Sequence, residues 1–532
     1  EIYRGGQGLR YGAATLGGAV NMVTPTGKTL PHTALFRAEG GSHKTLRLHA
    51  QAGETFDGAD AFVAATSAFG KGFRRHSEQN NRRVSGNIGV DLGSSAETRF
   101  YIAYNDLEQE VPGTISKRNT LHHPRRVPAI NVLDDYARDI HSLRLANRTA
   151  FWLSNGWKLE GGIYANDKTL YHPIFRILDH KSLDAGTFAR LDGDYSLETH
   201  RNEFTLGINL GRGRNDAKQF ENEGGRRDAL RADTKQMARN VELYGESRFF
   251  VTPDLSLITG FQGRIAYRDY EDRLNPANDA DKIYKSFNPK LGVLYKTAPS
   301  SEIYASVTRS SETPTYSELV QGGLPGFVPI DQQTAWTAEI GSRGTHGALS
   351  WDATLYHARV RKELLNYTVD ANTPASTFNA DDTIHQGIEL GLGWLATPEL
   401  SFHGVYNLND FRFDGDDQYG DNDLAGAPPH QLRLSARYEE NGYYVEPNME
   451  WTPKAAWVDY ANTLKSDTPV LVGLKAGMDV GNNVTLFLDA RNLMNEKSIA
   501  TFSTITDARV AGTEVFYPGE GRSLYGGMMV KF

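Results

Sequence analysis

"NEFTLGINLG", residues 202–211, sets Phe204, Leu206, Ile208 and Leu210 on one face of an extended segment and Glu203, Thr205, Gly207 and Asn209 on the other. A period of two is the signature of a β-strand, whose successive side chains point to opposite faces. The pattern recurs in "QLRLSARYEE" (431–440), where Leu432, Leu434, Ala436 and Tyr438 oppose Gln431, Arg433, Ser435 and Arg437. It recurs again in "VTLFLDARN" (484–492), with Leu486 and Leu488 on the apolar side. These are strands with one apolar side and one wetted side. A soluble sandwich has the same period, so alternation by itself does not place the apolar face against lipid.

Composition narrows the choice. The chain has 532 residues, far beyond one ordinary soluble domain, so it is either several domains or one large closed architecture. Its 57 Lys and Arg against 65 Asp and Glu give a net charge of -8, which argues against a nucleic-acid binder that lives on phosphate contacts. It contains no cysteine, which excludes a disulfide scaffold and thiol-based metal or redox sites. Mean hydropathy is -0.50, and no apolar run approaches the length of a transmembrane helix. A membrane β-barrel remains open, because its signal is alternation and not hydrophobic runs.

The connections favour that barrel. Short turn signals recur at 93–97, 154–157, 252–255, 298–302, 345–348, 397–400, 440–443 and 481–483. Between them lie long polar stretches of weak periodicity, around 108–138, 172–198, 211–238, 309–335 and 409–429, which read as loops. Short turns on one side and long loops on the other are the layout of an outer-membrane barrel. Two strands per unit of about 50 residues predict an all-β, antiparallel transmembrane barrel of about 22 strands, wide enough that its lumen is either water-filled or plugged. Leu206, Ile208, Leu434, Leu486 and Leu488 are expected to face lipid.

Two further stretches carry a family resemblance. The chain ends "GRSLYGGMMVKF" (521–532), an alternating strand with a terminal Phe. This is similar to the C-terminal signature of bacterial outer-membrane proteins, which the barrel-assembly machinery reads. Near the start, "IYRGGQGLRYGAATLGGAVNMVTPTGK" (2–28) resembles the end of the plug domain of TonB-dependent outer-membrane receptors, with Arg4, Gly5, Tyr11, Gly12, Gly17, Gly18, Val20 and Asn21 matching the motif. Glycine supplies the tight turns and close backbone approach that a crowded lumen requires. The stretches 287–319, 333–344, 384–394, 426–438 and 489–498 look like later segments of that family. "FRRHSEQ" (73–79), "EQEVPGTIS" (108–116) and "YANTLKSD" (460–467) are nearest to its ferric dicitrate receptor type.

The resemblance implies a division into the C-terminal end of a plug (1–28) and a receptor barrel (29–532), with the signal peptide, TonB box and most of the plug preceding residue 1. It also implies a place in the outer membrane of a Gram-negative bacterium, among lipid and lipopolysaccharide. The implied activity is import of a metal chelate such as a siderophore or carboxylate metallophore, energised by the TonB–ExbB–ExbD complex. No cofactor and no nucleic acid enters this picture, and the transported chelate is the ligand. The first 28 residues are expected inside the barrel or at its periplasmic mouth, with Arg4 and Arg10 against acidic groups. The alternatives are a passive porin or a barrel for another nutrient. An enzyme lacks support, since neither G-x-S-x-G nor H-E-x-x-H occurs.

Candidate ligand-binding residues are cations gathered in the expected loops of an acidic chain: Arg125 and Arg126, near Lys117, Arg118, His122 and His123; then His172, Arg176 and Arg190, near His180 and Lys181; then Arg226, Arg227 and Arg231. Guanidinium groups grip carboxylates bidentately, so these clusters suggest an anionic ligand, with solvated loops or lipopolysaccharide contacts as the alternatives. The ferric dicitrate receptor type is similar in reading its ligand with loop arginines. His172 departs from that pattern and leaves a different carboxylate chelate open. The metal stays unassigned, for fifteen histidines are scattered without ligand spacing.

Overall fold

In a computed structural model, which describes residues 2–4, 8, 16–153, 156–321, 326–369 and 375–532, the strands close into a 22-stranded antiparallel barrel. It runs from Ala34–Gly41 to Ser523–Lys531, and these two strands pair to seal it, with Met528 opposite Ala38 and Lys531 opposite Leu35. Closure follows from the solvent. No water in the hydrocarbon core can satisfy an exposed strand edge, so every ladder must find a partner.

The alternation sorts side chains as the sequence implies. Leu206, Ile208, Leu434, Leu486 and Leu488 are all exposed on the outer surface. Phe56, Phe151, Trp152, Tyr295, Trp394 and Tyr438 lie beside the short turns, and Trp394 stacks on Phe402 with centroids 5.4 Å apart. Toward the outer ends of the strands stand Phe287, on the same strand as Tyr295, and Trp336, on Gln333–His346. Two aromatic girdles about 25 Å apart are what a bilayer-spanning barrel carries at its interfaces.

Inward residues are polar and paired. Glu160 takes Lys158 at 2.9 Å and Arg190 at 3.2 Å, and Lys290 reaches Glu246 at 2.7 Å. The connection after Ser301–Glu312 folds back across this inner wall. Arg264 donates to the Ser311 hydroxyl (3.0 Å), Arg268 to the Pro314 carbonyl (3.0 Å) and Tyr284 to the Ile330 carbonyl (2.9 Å).

The N-terminal segment is held from inside. Asp60 is fully buried and accepts both terminal nitrogens of Arg99, at 2.6 and 3.0 Å, together with the Gly27 N–H at 2.8 Å. Arg99 also donates to Asn87 (2.6 Å), whose amide donates to the Pro25 carbonyl (2.9 Å). Lys28 meets Asp91 at 2.7 Å beside a short turn. Residue 27 approaches so closely that a Cβ there would stand 2.2 Å from the Glu54 carbonyl oxygen, which explains the glycine. Farther up, Asn21 and Val23 line a 1050 Å³ cavity with Glu160, Arg190, Glu242 and Tyr244 of the wall. Gly18–Val20 pairs with Ile2–Arg4, Arg4 opposite Gly18, and Gly17 precedes that strand. Gly5, Arg10, Tyr11, Gly12 and the side chain of Arg4 lie outside the described residues.

One expectation is corrected. The stretches 172–198 and 211–238 are not loops. They belong to strands Trp157–Pro173, Arg176–Leu197, His200–Glu223 and Arg226–Phe250, joined at the outer end by two-residue turns at 174–175 and 224–225. Strands of up to 25 residues are more than twice the length needed to span the bilayer, so their outer halves stand in water. Both faces are polar there, and apolar alternation disappears although the ladder continues.

Two outcomes test this arrangement. Leu206→Arg places a charge near the lipid midplane and is expected to lower barrel stability by about 2–4 kcal/mol, whereas Thr205→Arg, facing the lumen, leaves folding yield unchanged. Equal yields in vesicle refolding would overturn the facing. Asp60→Ala strands Arg99 in the wall and is expected to cost about 3–5 kcal/mol in denaturant unfolding. It also releases residues 25–28, read as mobility of a spin label at Thr24.

Candidate functional site

The outer mouth is built by connections that have cores of their own. One apolar cluster comprises Leu365, Phe413, Tyr419, Leu424 and Tyr460, and another Val458, Ile499, Ile505, Val515 and Phe516. Burial of several large side chains per cluster gives these loops fixed shape. The segment 111–136 carries helices Lys117–His122 and Ala129–Leu133, the first capped by Ser116. It joins the second cluster through an Ile115–Phe516 bridge, and Lys117 donates to the carbonyls of Lys465 (2.8 Å) and Ser466 (3.0 Å).

Its other end is locked by Arg74. The buried guanidinium donates to the carbonyls of Arg126 (2.6 Å), Pro112 (3.2 Å) and Gly113. Burial pushes Arg74 down to about 10, still protonated at neutral pH. With its carbonyl fixed, Arg126 joins Arg125, His123, Phe73, Asn495, Glu496 and Lys497 around a 710 Å³ pocket between the connections 71–78, 111–136 and 492–522. The Arg125 guanidinium lies 5.2 Å from the Phe73 ring centroid. Next to this pocket, burial pushes the Asp467 carboxyl up while the Ile499 N–H holds it at 2.9 Å. Two guanidiniums, an ammonium and an imidazole around one carboxylate and one aromatic face suit an anion with a flat or apolar side. Among the described residues no His, Asp and Glu cluster is arranged to ligate a metal.

Of the eight expected ligand residues, the structure brings Arg125 and Arg126 together at the pocket and gathers Arg176, Arg226, Arg227 and Arg231 at the outer ends of adjoining strands, away from it. Arg190 sits on the inner wall between Glu160 and Asp192 (2.8 Å), far below the mouth. His172 is turned to the Ala137 carbonyl, and burial pushes its imidazole down. Arg176 donates to Gln219 at 3.2 Å. Arg227 pairs with Asp179 at 2.8 Å and lies over Tyr171, while Arg231 pairs with Glu221. Arg226 is exposed beside the 224–225 turn. These four arginines stand at neighbouring tips of the long strands, where Arg176 lies opposite the Glu221 that Arg231 pairs with, and none of them lines the 710 Å³ pocket. Sequence reading missed Phe73, Arg74 and Lys497. The apolar-cationic run "FRRHSEQ" held the only local signal for the first two, and nothing local marks Lys497.

Residues 68–493 match the family model described as "TonB dependent receptor-like, beta-barrel". The vitamin B12 transporter BtuB of Photobacterium profundum is 24% identical over 228 residues, covering 42% of this chain and 36% of that protein, so the match spans about a third of the relative's length. Among solved structures, the siderophore receptor PiuA from Acinetobacter baumannii superposes with a TM-score of 0.80 at 15% identity, covering 100% of this chain and 86% of the other. The unliganded ferric citrate transporter FecA gives 0.84 at 18% identity, covering 100% and 83%. At such identities the likeness carries the fold alone.

Arg74→Ala leaves three carbonyls without their buried donor, at about 1–3 kcal/mol for each unsatisfied group. The expected result is faster tryptic cleavage after Arg125 and Arg126 in an assembled barrel. Cleavage at the wild-type rate would show that the segment is held by other contacts.

Proposed function

The chain belongs to the TonB-dependent receptor family, barrels of the bacterial outer membrane, and from that premise we propose that it imports an anionic metal chelate captured at the mouth by Arg125, Arg126, His123 and Lys497. The observation that carries the reading is the convergence of Arg125, Arg126 and Lys497, with the His123 imidazole beside them, on one pocket in a chain of net charge -8. A positive pocket raises the local concentration of an anion and holds it by charge-assisted hydrogen bonds, each contributing roughly 1.5–3 kcal/mol where water is partly excluded. The Phe73 face adds a seat for the chelator's apolar portion.

Residues 1–28 then act as the end of a plug whose preceding part receives force from the TonB–ExbB–ExbD complex. Release of such a plug is an order-to-disorder step biased by ligand on one side and by pulling on the other. The Asp60, Arg99 and Lys28 contacts keep its last residues fixed to the wall, so the moving portion lies upstream of Pro25. No bond is made or broken, and no cofactor is called for. A cobalt corrinoid, the cargo class named for the Photobacterium relative, is the second reading. An amide-rich corrinoid depends much less on guanidinium partners.

Calorimetry with ferric citrate as a carboxylate chelate, and with cyanocobalamin, separates the two. The proposal expects Arg125→Gln with Arg126→Gln to weaken ferric citrate at least tenfold, with wild-type affinity falling as salt screens the site. Salt-independent binding of cyanocobalamin alone would favour the second reading and overturn the first.

A further inference from the structure

On the outer surface, the ladder between His200–Glu223 and Arg226–Phe250 sets Arg212 directly opposite Arg239. Both continue the lipid-facing series, two residues beyond Leu210 and Val241, and both are exposed. Directly opposed residues hold their Cβ atoms about 5 Å apart, and like charges so placed repel. The next row toward the lipid brings Lys285 opposite Ile265, itself opposite Val241. Among the described residues Arg212, Arg239 and Lys285 have no carboxylate partner, and Arg239 rests only on the Tyr267 ring at 5.4 Å. Higher on the same face Arg214 pairs with Asp216 (2.8 Å), Lys235 with Glu271 (2.8 Å) and Arg273 with Asp216 and Asp233 (2.6 and 2.9 Å). The unpaired cations are thus those at the upper edge of the apolar band.

Directly beneath them is a lipid-facing hollow of 510 Å³, lined by Val241, Leu243, Gly263, Ile265, Lys285 and Phe287. Gly263 is its floor. A Cβ built there meets nothing within 4 Å, so the hollow exists because that one position carries no side chain.

We propose that this hollow and its cationic rim form a docking site for a phosphorylated acyl lipid of the outer leaflet. The phosphate lies between Arg212 and Arg239 within reach of Lys285, and one acyl chain fills the space over Gly263. Charge complementarity names the head group, since an anion between two opposed guanidiniums turns repulsion into bidentate pairing. The apolar hollow in register below it requires the anion to be joined to a hydrocarbon chain.

The test is thermal unfolding of the purified, lipid-stripped protein in neutral detergent, titrated with bisphosphorylated lipid A, with its dephosphorylated form and with inorganic phosphate. Lipid A is expected to stabilise the wild type, and the other two are not. Arg212→Gln with Arg239→Gln is expected to weaken lipid A at least tenfold, as loss of charge-assisted hydrogen bonds implies, while the lipid-free variant is at least as stable as wild type because the repulsion is gone. Gly263→Leu, which keeps every cation and whose Cβ meets nothing within 4 Å, is expected to weaken lipid A as well. Unchanged lipid A affinity in both variants, or inorganic phosphate stabilising as well as the lipid, would overturn the proposal.

Discussion

The seam between the last strand and the first is the constraint on which the rest depends. Tyr525 to Lys531 pairs with Gly41 to Leu35 residue by residue, and the Phe532 N–H reaches the Ala34 carbonyl at 2.9 Å. The approach is tight enough that a Cβ on Gly41 would come within 2.3 Å of the Leu524 carbonyl oxygen. An open edge in hydrocarbon would cost several kcal/mol for each unsatisfied group. Closure therefore comes first, and it creates both an outer face that must be apolar and a lumen that tolerates charge. The buried Asp60–Arg99 pair and the Lys290–Glu246 pair exist because the lumen gives ions partners that the bilayer cannot.

This division explains what the sequence reveals. Within the bilayer one face is greasy and the other wet, so Leu206 and Ile208 declare their strand and their orientation at once. Beyond the outer girdle the same strand continues through Arg212, Arg214 and Asp216, where both faces meet water and the alternation carries no contrast. Those residues read as loop for that reason, whereas Arg176, Arg226, Arg227 and Arg231 stand on the outer ends of long strands. In the opening stretch Gly27 sits where a side chain would strike the wall, while a Cβ on Gly17 would meet nothing within 4 Å.

The mouth pocket was only half legible. Arg125 and Arg126 stand out as a pair in the sequence, but Phe73 and Lys497 reach them from segments about 50 and 370 residues away, across connections that fold around their own cores. Only the closed barrel, which brings the end of the chain beside its beginning, makes them neighbours. Arg74 shows the same dependence, because its value lies in three carbonyls of a segment some 40 to 50 residues downstream.

In the proposed function an anionic metal chelate sits against Arg125, Arg126 and Phe73. The most direct measurement is the anomalous signal of iron in crystals of the protein soaked with ferric citrate. The expected result is a single metal peak in the pocket bounded by residues 73, 123–126 and 495–497, with chelate density touching both guanidiniums. A peak instead on the inner wall near Arg190 and Glu242, or at the strand tips near Arg226 and Arg227, with the mouth pocket holding only water, would contradict it.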